Sequence, residues 1–164
     1  MLIDNFNPLN KVYLYKFASD NCYFRDKGYC IIEMMSNDEL LDYKVESLIS
    51  FHRECNYCLW LAKCFLFNTI NKPAWIYRSN ACNHYVFDDG QHRTCVYARL
   101  IKRGFNIKLP VEYFEFDSRC KYCCVVDEKL NKHPFGNIPL LKDAIREQIK
   151  ELVYKEYQVV ELSF

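Results

Sequence analysis

Apolar and polar residues follow two different periods along this chain, and the changes of period mark its predicted elements. Lys11–Phe17 (KVYLYKF) alternates and predicts a strand, and the apolar run Tyr29–Met35 (YCIIEMM) is a second strand candidate. Ser36-Asn37-Asp38-Glu39 opens a helix, with Ser36 as N-cap and Glu39 at the reciprocal capping-box position. Leu40, Leu41, Val45, Leu48 and Ile49 continue it at helical spacing. Cys58–Phe67 (CLWLAKCFLF) is apolar almost all round, which predicts a buried helix. Asn71-Lys72-Pro73 breaks the pattern, and short strands follow at Ala74–Tyr77 and Tyr85–Phe87.

From Gln91 to Arg103 the period is helical, and Gly104 fits the left-handed position that ends a helix. Ile107, Leu109, Val111 and Tyr113 alternate as a strand with one buried face, and Pro110 within it points to an edge or a bulge. Val125-Val126 reads as a short strand. Pro139 suits the first turn of a last helix, whose stripe is Leu141, Ile145, Ile149, Leu152 and Val153. Val159–Phe164 reads as a final strand. The fold class expected is α+β, a small mixed sheet with packed helices, forming one domain over residues 1–164.

Composition narrows the function classes. The net charge of +1 removes any global electrostatic case for nucleic acid or an anionic membrane. No apolar run approaches the ~20 residues that span a bilayer. The N-terminus lacks a charged head followed by an apolar stretch, so no secretory signal is read and a cytoplasmic location is expected. In that compartment the 10 cysteines are expected to be reduced thiols or metal ligands.

The densest chemistry lies at Asp88-Asp89-Gly90-Gln91-His92-Arg93-Thr94, between a predicted strand and a predicted helix. The first amides of a helix lack internal partners and attract anions, phosphate above all. Gly90 lets the backbone bend and a ligand approach. Arg93 can grip a phosphate with its planar fork, and His92 can donate a hydrogen bond or shuttle a proton. Asp88 or Asp89 can bind Mg²⁺ or accept a proton, and Thr94 offers a hydroxyl. A plainer reading stands beside this one: Asp89 caps the helix, Gly90 makes the turn, and His92 and Arg93 are surface groups.

DGQHR, continued by TCVYARLIKRGFNIKLPV, resembles the signature of the ParB/sulfiredoxin-like superfamily over about Ala74 to Phe116, with Leu109-Pro110-Val111 matching its closing strand. The resemblance implies that ATP, ADP or CTP binds with Mg²⁺. Gly90, His92 and Arg93 would hold phosphates, Asp89 would assist metal binding or proton transfer, and Asp88, Gln91 and Thr94 would complete the turn. Gln91 replaces the catalytic cysteine of sulfiredoxin, and neither the later acidic-polar-x-x-Arg motif nor the helix-turn-helix of ParB is found. Glu33 or Glu46 would have to serve as the catalytic acid of kinase-like members. The expected function is a nucleotide-dependent phosphotransferase or ATPase acting on a small molecule or protein. Two alternatives are a non-enzymatic nucleotide-binding or zinc-stapled interaction module and a DNA-associated nuclease- or partition-type protein.

The cysteines offer a second candidate. Cys55-x-x-Cys58 and Cys120-x-x-Cys123 are two short pairs of the kind that build a tetrahedral zinc site. Cys64, Cys124, His52 and His133 are substitutes, and ordinary thiols are the alternative. Cys22, Cys30 and Cys82 are left without partners. Lys102, Arg103 and Lys108 could form a small basic patch, but a solvated helix end where cations favour the dipole is the preferred reading, and Trp60 and Trp75 are expected in the core.

Overall fold

The computed structural model describes residues 1–17, 28–44 and 56–164. Val45, Glu46, Leu48, Ile49, His52, Cys55 and Cys22 lie outside the described residues. Six strands form one mixed sheet: β1 (Leu2–Ile3), β2 (Val12–Tyr15), β3 (Ala74–Ser79), β4 (His84–Asp89), β5 (Val111–Phe116) and β6 (Val160–Ser163). Their spatial order is β1-β5-β3-β4-β2-β6. β3 and β4 form an antiparallel hairpin, β3 runs parallel to β5, and β2 runs parallel to β4. The helices are α1 (Ile31–Met34), α2 (Asn37–Asp42), α3 (Asn56–Leu66), α4 (Gln91–Lys102), α5 (Lys121–Lys132) and α6 (Pro139–Glu156). The α+β class is as expected.

Strand alternation divides the core. Tyr13, Tyr15, Tyr85 and Ile76 face α3 and α4, where Leu61, Phe65, Val96 and Leu100 complete the main cluster. Leu14 and Val86 point to the other face and meet Tyr122 and Cys123 of α5. There α6 packs on α5 through Val126, Leu130, Ile145, Ile149 and Val153. The period of two along a strand is what lets one sheet serve two helical layers.

Local signals hold where the sequence carries them. Ser36 Oγ accepts from Glu39 N–H at 3.1 Å and Ser36 N–H donates to Glu39 Oε2 at 2.6 Å, a complete capping box. Gly104 has φ +87, with Gly104 N–H bonded to Ile101 O and Phe105 N–H to Leu100 O, the Schellman closure of α4. Pro139 stands in the first turn of α6.

Several expectations are corrected. The run Tyr29–Met35 holds one helical turn, α1, because Arg103 reaches across and donates to the carbonyls of Ile32 and Met35. Arg103 also donates to Asn37 Oδ1 at 2.9 Å, so it braces α1 and α2 instead of contributing to a basic patch. Val125-Val126 lies inside α5, where Tyr122, Val126 and Leu130 repeat every four residues on the buried side. The strand expected from Ile107 begins at Val111, directly after Pro110, which has no N–H to give a ladder. Pro110 therefore marks neither an edge nor a bulge, and β5 lies inside the sheet between β1 and β3. Trp75 is 41% exposed because Ala74 and Ile76 take the inward positions of β3, while Trp60 packs at the core margin.

Candidate functional site

The expected strand–turn–helix context around DGQHR is present: β4 ends at Asp89 and α4 starts at Gln91. Gly90 sits between them at φ +86, a backbone conformation that disfavours a side chain. A Cβ here would lie 2.5 Å from Ala74 Cβ. The glycine thus makes room for β3, not for a ligand.

Asp89 is the hub of the turn. Its carboxylate accepts from Gly90 N–H at 2.6 Å and pairs with Lys72 at 2.6 Å and Arg93 at 3.0 Å. The hydrogen bond from Lys72 leads the effects that hold its carboxyl below the usual range. Arg93 is largely buried and also donates to Lys72 O at 2.6 Å. Gln91 Oε1 accepts from Lys16 N–H at 2.6 Å, tying the helix start to the end of β2. Thr94 is fully buried, and its hydroxyl has no hydrogen-bond partner among the described residues. Thr94 therefore does not present a hydroxyl to a ligand, because the turn of α4 carries it into the core.

His92 is packed between Phe17, with ring centroids 4.5 Å apart, and Tyr57, at 5.2 Å in a T-shaped arrangement. Its Nδ1 lies 4.0 Å from Cys58 Sγ. Burial lowers its pKa to about 4, so the ring is neutral at neutral pH and acts as a hydrogen-bonding group rather than a cation. A cleft of about 720 Å³ opens over this turn, and the whole run from Asp88 to Arg93 lines it. Lys72, Tyr57 and Trp60 also line it, the two rings being stacked at 5.7 Å. The first amides of α4 precede its helical ladder, which starts with Thr94 N–H bonded to Gly90 O at 2.8 Å.

A second constellation lies on the opposite face of the sheet. Cys82 in the β3–β4 turn, His84 at the start of β4, and Cys120 and Cys123 at the start of α5 bring four ligand atoms within 4.8 Å of one another. His84 Nδ1 is 3.2 Å from Cys123 Sγ and 3.8 Å from Cys120 Sγ. Two loops converge here for local reasons. Asn80 N–H bonds Phe116 O at 2.9 Å and Asn80 Nδ2 donates to Asp117 at 3.0 Å. Buried Ser79 donates to Ser118 O at 2.7 Å and accepts from Cys82 N–H at 3.2 Å. Cys120 and Cys123 are three apart on one helical face. The cluster can hold a metal ion.

The candidate residues thus fall into two groups. Asp88, Asp89, Gly90, Gln91, His92 and Arg93 share the cleft. Cys120 and Cys123 are joined by Cys82 and His84, whereas Cys58 lies beside His92 in the main core. The set expected from spacing, with Cys58 completing Cys120 and Cys123, is therefore corrected, because the sheet stands between α3 and α5. Cys55 lies outside the described residues. The signal that names the missing ligands is Cys82-x-His84, a short pair at a hairpin turn. Glu33 pairs with Arg99 rather than with the DGQHR turn, and Cys124 is exposed beside the cluster.

Fold and sites together define a mixed α+β domain with a cleft of about 720 Å³ on one face and a Cys/His cluster on the other. Comparison with protein-family models, with curated proteins and with solved structures finds no match to this chain. No described helix is long and apolar enough to cross a membrane.

Proposed function

We propose that the chain is a nucleotide-binding domain of ParB/sulfiredoxin-like type, holding the phosphates of ATP, ADP or CTP at the start of α4. The observation that carries this reading is that the whole run Asp88–Arg93 lines one cleft with a cation and an aromatic pair. The free amides of α4 and the Lys72 ammonium, 74% exposed, supply the positive field. Tyr57 and Trp60 offer a stacking wall for the base. Asp88 accepts a hydrogen bond from Tyr77 and Asp89 is engaged by Lys72 and Arg93, so Mg²⁺ would have to displace one of these partners to reach a carboxylate of the turn. Phosphoryl transfer to an acceptor hydroxyl or to water is the activity this placement fits, with Lys72 and Arg93 spreading the transferred charge.

Thermal unfolding with ATP, ADP, CTP and GTP, each with Mg²⁺, tests the reading. A ligand at a hundred times its Kd adds about 2.7 kcal/mol, a rise of roughly 5–10 °C at this chain length. Lys72→Ala is expected to lose most of that rise while keeping the unliganded Tm. No shift with any nucleotide would overturn the proposal. A non-enzymatic module is the second reading, favoured by the engagement of Asp89 in its own turn, and phosphate release from the stabilising nucleotide separates the two. The third, DNA association, has only the near-neutral charge to draw on and predicts salt-dependent binding to duplex.

A further inference from the structure

We propose that Cys82, His84, Cys120 and Cys123 form a closed structural zinc site, with His84 binding through Nδ1 and Glu161 acting as its outer-shell carboxylate. Three thiolates and an imidazole are a soft, tetrahedral donor set. Tetrahedral zinc with Zn–S of about 2.3 Å and Zn–N of about 2.0 Å places its ligand atoms about 3.5–3.8 Å apart. The imidazole nitrogen stands 3.2 and 3.8 Å from two of the sulfurs, and all four atoms lie within 4.8 Å, so gathering them round an ion closes the widest pair by no more than about 1 Å.

The surroundings fit a bound ion. His84 Nε2 faces Glu161 Oε2 at 3.9 Å, the arrangement in which a carboxylate orients a ligating imidazole. Glu161 is itself fixed by the Tyr154 hydroxyl, which donates at 3.0 Å, and by Lys150 at 3.1 Å. Three thiolates around Zn²⁺ leave one net negative charge. Arg119, which hydrogen-bonds Cys123, lies beside the cluster to offset it. Cys120 and Cys123 are buried, and four protein ligands leave no open position for substrate. The ion would join the β3–β4 turn, the start of α5 and, through Glu161, strand β6. That makes it a staple for the face of the sheet that carries the smaller core clusters.

The test is metal analysis of the full chain purified under reducing conditions without chelator. One zinc per chain is expected. Replacement by Co²⁺ should give the intense visible bands of a tetrahedral site and a thiolate-to-cobalt charge-transfer band. Cys82→Ser should lose the metal, whereas Cys58→Ser should retain it. His84→Cys, which keeps four donors, should still bind Co²⁺ with its charge-transfer band strengthened by the added thiolate, so loss of folding in Cys82→Ser would not hide the answer. Glu161→Gln should keep the fold and weaken zinc about 10–100-fold in competition with a chelator. A folded wild type that neither retains zinc nor develops cobalt bands would overturn the site. Loss of metal in Cys58→Ser with retention in Cys82→Ser would overturn its ligand set, and an unchanged Glu161→Gln would overturn the role of Glu161.

Discussion

His92 should make this protein acid-sensitive in a defined window. Its ring is enclosed by Phe17 and Tyr57, and burial lowers its pKa to about 4. In the unfolded chain an imidazole titrates near about 6.5. As pH falls, the unfolded chain takes up the proton first. Stability contributed by the neutral ring is therefore present above about pH 6.5 and lost as pH falls towards about 4. The gap is worth at most about 3 kcal/mol, and about 2 kcal/mol of it is gone by about pH 5. With a urea m-value of about 2 kcal/mol/M, the midpoint should fall by about 1 M between about pH 7.5 and 5 from this residue alone. His92→Gln removes the titration while keeping a hydrogen-bonding group. Urea unfolding of both proteins at both pH values, in the same metal state, isolates the effect, because ligand and carboxylate protonation cancels in the difference. The variant should lose about 1 M less than wild type on acidification. Equal losses in the two proteins, or an imidazole resonance of His92 titrating near the unfolded value, would refute the argument.

Two further perturbations probe the frame of the sites. Gly90→Ala forces a side chain into φ +86 and against Ala74, and should cost about 2–4 kcal/mol. Adding Ala74→Gly should return only a small part of that loss, because it removes the Cβ contact while the backbone Cα of residue 74, 2.7 Å away, and the strain at φ +86 remain, which thermal unfolding of the double variant reads directly. Arg103→Met leaves the carbonyls of Ile32 and Met35 and the Asn37 side chain without their donor, and should cost about 2–3 kcal/mol in urea unfolding. A change within about 0.5 kcal/mol would show that water replaces the guanidinium there.

What the sequence discloses follows the range of the forces involved. The capping box at Ser36, the Schellman glycine at position 104 and the DGQHR turn are each determined within a few residues, and all three are read correctly. α1 is not, because its carbonyls are held by an arginine far along the chain. α5 is misread for a related reason. Val125-Val126 has local strand propensity, but the spacing of Tyr122, Val126 and Leu130 matters once the lower face of the sheet must be covered. The metal set fails most instructively. Spacing found both members of Cys120-x-x-Cys123, but spacing carries no knowledge of which side of the sheet a second pair occupies. Only the pairing of β3 with β5 brings the hairpin turn at Cys82 to the loop before α5.

Strand β4 links the two candidate sites and keeps them apart. His84, Val86 and Asp88 alternate with Tyr85, Phe87 and Asp89, so the strand directs ligand chemistry to the α5 side and the turn hub to the α3–α4 side. His84 and Asp89 stand at its two ends, about 17 Å apart at the rise of an extended strand. At that separation, with no shared side-chain partner among the described residues, perturbations at one end carry little direct energy to the other. What they share is register. β4 is hydrogen-bonded to β2 on one side and β3 on the other, and a slip of one residue would reverse all six side chains at once. An ion clamped on His84 would oppose that slip, and the Asp89–Lys72–Arg93 cluster opposes it from the other end. The same pairing that makes β4 a central strand is therefore what allows a six-residue segment to carry a candidate metal ligand on one face and the Asp89 hub of the turn on the other.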